Sequence, residues 1–244
     1  MLDWNLALSR IEEWAGRRES RYICICNVHS VVEAAKDSSF GLTLAEADMA
    51  TPDGMPIAWT LRRHGFKSQQ RINGPDLMQK YCERATASTA SIYLYGGTEK
   101  TLELLQQQLG KEFPQLRVAG AYSPPFRPLT LEEDRAAVQR INDSGAGIVW
   151  VSLGCPKQEQ WMARHRGSIN AVMIGVGAAF DFHAHTLRRA PAWMQRTGLE
   201  WLHRFASEPR RLWKRYLITN TLFLLYALGW RKPHRDTSRT VQSA

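Results

Sequence analysis

The stretch VSLGCPKQEQW (residues 151–161) changes character at its midpoint, and this change decides the fold class. Its first half is a short apolar, β-branched run, which is typical of a buried strand. Gly154 then allows a tight exit, and the proline two residues later suits the first turn of a helix. The sequence therefore predicts a strand–turn–helix junction that presents Lys157, Gln158 and Glu159 together at a helix start.

Similar apolar runs alternate with helical patterns along the chain. The predicted strands are residues 22–27, 91–95, 117–122, 148–153 and 171–176. The predicted helices are residues 30–36, 55–64, 75–87, 98–109 and 130–142, the last opened by a TLEE capping box. Such alternation is typical of crossover connections. We therefore expect an α/β fold, with a Rossmann-like, mostly parallel sheet and helices on both faces.

Charge is distributed unevenly over the 244 residues. Residues 1–187 carry 20 Lys/Arg and 20 Asp/Glu, whereas residues 188–244 carry 12 Lys/Arg and three acidic residues, which gives the whole excess of +9. We therefore expect an α/β domain at 1–187 and a basic helical appendage at 188–244, called here the C-terminal segment. Its charge indicates an anionic partner, which could be nucleic acid, phospholipid or a phosphorylated substrate.

The four cysteines include no CxxC pair and predict reduced thiols, which are typical of the cytosol. Cys24 and Cys26 alternate along the first predicted strand and so share one face. A zinc site with His29 is the alternative, but buried apolar thiols are the commoner use of such cysteines.

Three predicted strands end in glycine-rich junctions: YGGT (95–98), LGCPKQE (153–159) and GVGAAFDF (175–182). In a parallel sheet the carboxyl ends of the strands lie along one edge, where ligands bind and glycines let the backbone approach a phosphate. The residues expected at this rim are Gly96, Gly97, Gly154, Lys157, Gln158, Glu159, Gly175, Gly177 and Asp181. No junction spells GxGxxG or a P-loop, which argues against a dinucleotide or ATP site.

A second polar group lies upstream, in ADMATPDGMPIAW (47–59) and RINGPDL (71–77). Asp53 belongs to a Pro-Asp-Gly turn signal, but the apolar helix after it would aim the carboxylate at the same sheet edge, where it could act as a general base. Arg71 could clamp a phosphate or remain a solvated charge. Asp76 fits either a first-turn helix acid or a ligand contact.

The ordered blocks of the chain resemble one known family. They are NVHSVVEA, ADMATPDGMPIAW, RINGPDLM, YLYGGTEK, VSLGCPKQEQWM and GVGAAFDFHAHTLRRAPAWMQRTGLEWLHRFASEPRRLWKRY, between residues 27 and 216. In this order they are similar to the WecG/TagA/CpsF glycosyltransferases (glycosyltransferase family 26), and most of all to the GumM-like members that build exopolysaccharides.

The resemblance implies an inverting glycosyltransferase. Such an enzyme moves a sugar from a UDP-sugar to a saccharide on a polyprenyl diphosphate, with a β-linkage, in the synthesis of exopolysaccharide, teichoic acid or a similar cell-surface polymer. It implies Asp53 as catalytic base, with Asn27, Arg71 and Gln158 beside it. The other implied substrate-binding residues are His29, Asp76, Arg204, Arg211 and Arg215. Many members carry Thr two positions before the asparagine, where this chain has Ile25, so a hydroxyl contact is missing or supplied elsewhere.

Departure of a nucleotide diphosphate requires compensation of its charge. Many nucleotide-sugar enzymes use a metal held by Asp-x-Asp, but this sequence has no such motif, and Glu46-Ala47-Asp48 is the nearest approach. Arg71, Lys157 and the arginines of the C-terminal segment are available instead. We therefore expect neither a metal nor a cofactor.

The C-terminal segment places a 14-residue apolar run, 217–230, between two basic clusters. Spanning a bilayer takes about 20 apolar residues, so this run is too short. Its aromatic residues and flanking cations suit a lipid headgroup region, although a buried core helix is the alternative. We expect peripheral attachment to the cytoplasmic face of the plasma membrane.

Two other functions fit part of the pattern. A Rossmann-like oxidoreductase fits the alternation, but the missing GxGxxG argues against it. A nucleic-acid binder fits the charge of the C-terminal segment, but the central apolar run fits lipid better. The identity of the sugar and the oligomeric state, a homo-oligomer included, stay open.

Overall fold

A computed structural model describes residues 2–86, 90–227 and 229, without the side chains of Arg211, Lys214 and Arg215. Its strands are β1 (Arg21–Cys26), β2 (Met49–Pro52), β3 (Ser91–Gly96), β4 (Arg117–Tyr122), β5 (Ile148–Ser152) and β6 (Val172–Gly175). Its helices are α1 (Trp4–Gly16), α2 (Val28–Lys36), α3 (Ser38–Ala45), α4 (Met55–Arg63), α5 (Gly74–Ala85), α6 (Glu99–Glu112), α7 (Leu131–Ser144), α8 (Lys157–His165), α9 (Ala179–His183), α10 (Ala192–Arg196), α11 (Glu200–Ser207) and α12 (Pro209–Ala227).

The six strands form one parallel sheet in the order β2-β1-β6-β5-β3-β4. The chain leaves β3 toward the β4 edge and leaves its neighbour β5 in the opposite direction, toward β6. Such a reversal opens a crevice at the carboxyl ends of the strands. The predicted Rossmann-like α/β fold is confirmed.

Alternate residues of each central strand pack into two buried cores, one on each face of the sheet. In β5, Ile148 and Trp150 lie in the core beneath α1, α5 and α6, whereas Val149 and Val151 lie in the core beneath α7 and α8. All four side chains are fully buried. Burial on both faces explains why these strands are continuous apolar runs in the sequence.

The sequence-based assignment missed α3 and β2. In the sequence, the stretch that contains β2 shows only the Pro-Asp-Gly turn signal and the helix after it. β2 has only four residues and too short a pattern to be recognised, but it pairs in parallel with β1 from Ile23–Met49 onward. It is therefore a strand, and not only the helix after it, that delivers Asp53 to the sheet edge.

Gly96 marks a close approach between the ends of β3 and β5. Its φ is +106°, and a Cβ there would lie 2.3 Å from the carbonyl oxygen of Ser152.

We expect Gly96→Ala to lower the free energy of unfolding by about 2–4 kcal/mol, through backbone strain and overpacking. Gly110→Ala, in α6 with nothing within 4 Å of a new Cβ, should instead stabilise by about 0.5–1 kcal/mol. Urea denaturation measures both, and equal stabilities would contradict the close approach.

The C-terminal segment folds back onto the sheet domain. α12 packs against α2, and its Phe223 lies with Val32 and Ile57 in a third apolar cluster. Its opposite face leaves Leu217 and Ile218 exposed. Among the described residues, no helix is both long and apolar enough to cross a membrane. Residue 228 and residues 230–244, which include the end of the predicted apolar run, lie outside the described residues.

Candidate active site

A cleft of about 880 Å³ opens at the carboxyl edge of the sheet. The turns after β1, β2, β3, β5 and β6 line it, and α4, α10, α11 and α12 add further lining residues. It contains eleven of the residues that the sequence pointed to: Asn27, His29, Asp53, Arg71, Gly97, Gly154, Gln158, Gly175, Gly177, Asp181 and Arg204. Residues from distant blocks thus meet at one edge, as the sheet argument expected.

Other predicted residues lie elsewhere. Asp76, Gly96, Lys157 and Glu159 are not among the residues that line the cleft. The Lys157 side chain is exposed at the start of α8, so the junction does not direct it inward as expected, whereas Glu159 is buried beneath the cleft. Arg211 and Arg215 belong to α12, but their side chains lie outside the described part of the chain.

Asn27 caps α2 at the end of β1. Its Oδ1 accepts from the Ser30 backbone N–H at 3.1 Å, and the Ser30 hydroxyl accepts from the Asn27 N–H at 2.8 Å. This capping box starts α2 at Val28, two residues before the predicted start. Because the cap uses the side-chain oxygen of Asn27, its Nδ2 group is the part that can donate a hydrogen bond to a ligand. Ile25, which stands where many members of the similar family have Thr, also lines the cleft. The hydroxyl that this chain lacks would therefore lie in the site itself.

Asp53, Arg71 and Glu200 form the charged centre of the cleft. The Asp53 backbone N–H donates to the Cys26 carbonyl at 2.7 Å, which fixes the turn after β2 to the end of β1. One Arg71 nitrogen, Nη2, donates to Asp53 Oδ1 at 3.3 Å and to Glu200 Oε2 at 2.5 Å. The exposed fractions of the three side chains are only 26%, 13% and 21%, respectively. The charges of this group are therefore only partly screened by solvent.

Burial raises the pKa of the Asp53 carboxyl, Arg71 opposes that rise, and Glu200 adds to it. Burial would lower the pKa of Arg71, but the two carboxylates outweigh this effect and the pKa is raised. A carboxylate with a raised pKa is a stronger base, and an arginine that stays charged keeps it ionised. The arrangement can therefore abstract a proton.

Asp76 belongs to a supporting network below the cleft. Asn73 Nδ2 donates to Asp76 Oδ2 at 2.6 Å, and Arg189 Nη1 donates to Asp76 Oδ1 at 2.5 Å. Burial would raise the pKa of Asp76, but these two hydrogen bonds outweigh it and the pKa is lowered. Arg189 Nε also lies 4.0 Å from Glu200 Oε1. Of the two sequence interpretations of Asp76, the geometry favours the first-turn helix acid, which here also holds the side chains of Asn73 and Arg189.

Gln158 is buried at the start of α8, against β6. Its Nε2 donates to Glu159 Oε1 at 2.9 Å, and its Oε1 has no partner among the described residues. A Cβ at Gly175 would lie 3.0 Å from Nε2, so this glycine makes room for the amide. A buried acceptor without a partner is costly, which makes Oε1 a candidate to receive a ligand hydroxyl.

Within the described residues, no three His, Cys, Asp or Glu side chains are grouped so that they could hold a metal ion. Cys24 is buried and Cys26 half-buried on the same face of β1, and burial raises the pKa of both thiols. The His29 ring lies 3.9 Å from the Glu33 carboxylate, on its own helix. The prediction of apolar thiols therefore fits better than zinc.

Several lining residues were not predicted, among them Trp59, Asn73, Glu200, Trp201, Tyr216 and Asn220. Glu200 was counted only as one of three acids in a basic segment. An isolated acidic residue in a basic segment is a signal of a specific role, but no local sequence pattern shows that the segment folds back onto Arg71.

The family model described as "Glycosyl transferase WecG/TagA/CpsF family" matches residues 1–237. Two similar curated proteins bear the name N-acetylglucosaminyldiphosphoundecaprenol N-acetyl-beta-D-mannosaminyltransferase. The protein from Bacillus spizizenii strain W23 is 28% identical over 232 residues, which cover 91% of this chain and 88% of the relative. The protein from Bacillus subtilis strain 168 is 31% identical over 197 residues, which cover 80% and 74%.

The family model covers nearly the whole chain, including α11 and most of the C-terminal segment. This confirms the resemblance found in the sequence blocks and favours a transferase over an oxidoreductase or a nucleic-acid binder. The chain belongs to the WecG/TagA/CpsF glycosyltransferase family and is a glycosyltransferase.

Proposed function

We propose that the chain transfers a sugar, with inversion, from a UDP-sugar to a saccharide carried on a polyprenyl diphosphate, in the synthesis of a cell-surface polysaccharide. The observation that carries the proposal is the Asp53–Arg71 pair in a cleft at the carboxyl edge of the sheet. The two relatives are named for transfer of N-acetylmannosamine to a lipid-linked N-acetylglucosamine, which makes an N-acetylhexosamine the first donor to test.

The proposed reaction is a single displacement. Asp53 takes the proton of the acceptor hydroxyl, whose oxygen then bonds to the anomeric carbon. The bond from that carbon to the diphosphate oxygen breaks, and UDP leaves with the electron pair. Attack opposite to the leaving group inverts the anomeric centre and gives a β-linkage from an α-linked donor.

Cations of the chain would stabilise the leaving diphosphate. Arg204 lines the cleft, and its Nε has no hydrogen-bond partner among the described residues. Its guanidinium lies over the ring of Phe182 in α9, 5.9 Å from the centroid. These observations support Arg204 as a group that would bind a phosphate, and the partnerless Oε1 of Gln158 supports it as a group that would bind a sugar hydroxyl.

Attachment to the cytoplasmic face of the membrane is part of the proposal. The exposed apolar side chains of α12 and the cations of the C-terminal segment would contact anionic lipid, and the cleft is walled by this same segment. A lipid-linked acceptor would thus reach Asp53 from the membrane surface.

Mass spectrometry of a short-chain, lipid-linked N-acetylglucosamine acceptor, incubated with a panel of UDP-sugars, tests the function. We expect one UDP-N-acetylhexosamine to add its sugar and release UDP, and NMR of the product to show a β-linkage. Absence of product with every donor would reject the proposed donor class.

The reaction should also continue in the presence of EDTA, because arginines supply the charge that compensates the leaving diphosphate. Loss in EDTA with rescue by Mg²⁺ or Mn²⁺ would reject the metal-free site.

A further inference from the structure

Arg71 divides its hydrogen bonds unequally between two carboxylates. The contact of Nη2 with Glu200, at 2.5 Å, is much shorter than its contact with Asp53, at 3.3 Å. Charge-assisted N–H···O hydrogen bonds are usually about 2.7–2.9 Å long, so the contact with Asp53 is stretched and the contact with Glu200 is not. The stronger interaction of Arg71 is therefore with Glu200, although Asp53 lies much closer in the sequence.

This division has a chemical consequence at Asp53. An arginine that paired fully with a catalytic carboxylate would occupy its lone pairs and weaken it as a base. A second carboxylate that shares the Nη2 group with Asp53 prevents that pairing, while Arg71 still compensates part of the charge of Asp53. The proton-accepting oxygens of Asp53 then remain available to an acceptor hydroxyl.

Glu200 is itself held in place. It opens α11, and its Oε1 lies 4.0 Å from Arg189 Nε, whose guanidinium is bound to Asp76 and Asn73. The carboxylate is 21% exposed and lines the cleft. An ion pair with only a structural role could lie anywhere in the protein, but the Arg71–Glu200 pair lies beside the proposed base.

We propose that Glu200 is a positioning residue, which holds the Arg71 guanidinium away from full pairing with Asp53 and so keeps Asp53 competent to accept the acceptor's proton. The inference rests on the proposed function of Asp53. It makes α11 part of the catalytic arrangement through a carboxylate, in addition to the arginines of the C-terminal segment.

The charged and titratable groups that face Asp53 determine in which direction its pKa changes when the charge of Glu200 is removed. They are Arg71 from the loop before α5, Glu200 and Arg204 from α11, and the Cys26 thiol at the end of β1. Removal of the Glu200 charge takes away a group that raises the pKa of Asp53 and releases Arg71, which lowers it. Both changes move the Asp53 titration to lower pH.

The test compares Glu200→Gln, Glu200→Asp and the control Glu103→Gln, which removes one exposed carboxylate from α6. Carbon-13 NMR of aspartate-labelled protein follows the Asp53 carboxyl, assigned with Asp53→Asn. Steady-state kinetics give kcat and KM against pH.

In Glu200→Gln, we expect the Asp53 titration and the acidic limb of kcat/KM to move to lower pH. We also expect kcat to fall roughly tenfold with KM for the donor little changed. Glu200→Asp should restore part of both shifts, and Glu103→Gln should match wild type.

An Asp53 titration that stays at the wild-type pH in Glu200→Gln overturns the inference, whether or not turnover falls, because a merely structural ion pair would leave it unmoved. Circular dichroism confirms that each variant is folded. If the wild-type protein transfers no sugar, the proposed function fails separately, and the NMR titration still decides whether Glu200 controls Asp53.

Discussion

Asp53→Asn should lower kcat by roughly 10²–10⁴-fold, while the fold and the affinity for the UDP-sugar remain. The amide has nearly the same shape, so it can keep the turn after β2, where the Asp53 N–H donates to the Cys26 carbonyl. It cannot accept a proton at neutral pH. Turnover of the lipid-linked acceptor measures kcat, and calorimetric titration with the donor measures affinity.

Asp143→Asn, an exposed acid-to-amide change on α7, is the matched control and should behave as wild type. Near-wild-type turnover in Asp53→Asn would leave Asp53 with only its turn-forming role, which the sequence alone already allowed. The pH profile gives a second check on the wild-type protein. Because Asp53 must be deprotonated and burial raises its pKa, the acidic limb of kcat/KM should lie above the ordinary aspartate value of about 3.9.

The parts of the fold that the sequence predicted are those whose signal is local. β5 and β6 are buried on both faces, so their apolar runs are unbroken. Gly154, with a φ of +78°, forms the turn after β5, and Gly175 ends β6 where a Cβ would crowd Gln158. Helices with strong caps were also found, such as α7 with its Thr130–Glu133 capping box. Alternation of such elements was sufficient for the parallel sheet and its ligand-binding edge.

The parts that were missed depend on contacts distant in sequence. β2 is a strand because β1 lies beside it, and its four residues carry little pattern of their own. Glu200 reaches Arg71 across 129 residues, and Arg189 reaches Asp76 across 113. A turn signal located Asp53, but no local pattern shows which charges surround it. Its environment, and therefore its strength as a base, needed the structure.

The exposed apolar side chains of the chain are concentrated in the C-terminal segment. Among the described residues, six large apolar side chains in 2–187 are more than one third exposed, whereas the shorter C-terminal segment has seven: Trp193, Trp201, Leu202, Trp213, Leu217, Ile218 and Leu224. The buried face of α12 is used in packing against α2, so the sequence alternatives of core helix and membrane contact are not exclusive. One face can serve the core while the other is available to lipid.

Leu217→Glu combined with Ile218→Glu should therefore weaken binding to anionic liposomes on the order of 10²–10³-fold. The two side chains are 64% and 49% exposed, so the substitutions leave the α2 contact intact. Burial of a leucine or isoleucine in an apolar environment contributes about 1.5–3 kcal/mol, and the new carboxylates add repulsion from the lipid headgroups. Sedimentation with liposomes measures binding, and transfer to soluble and bilayer-embedded acceptors measures its consequence.

The same variant separates the anchor from the chemistry. Transfer to a short, water-soluble acceptor should stay at the wild-type rate, because neither Leu217 nor Ile218 is among the residues that line the cleft, whereas transfer to an acceptor in a bilayer should fall with binding. Leu42→Glu combined with Leu131→Glu, on α3 and α7, makes the same change in charge at side chains that are 61% and 65% exposed, and should leave both activities unchanged. Equal losses in the two double variants would mean that net charge, and not the exposed face of α12, governs attachment. Unchanged liposome binding in the α12 variant would assign the membrane contact to another surface of the molecule.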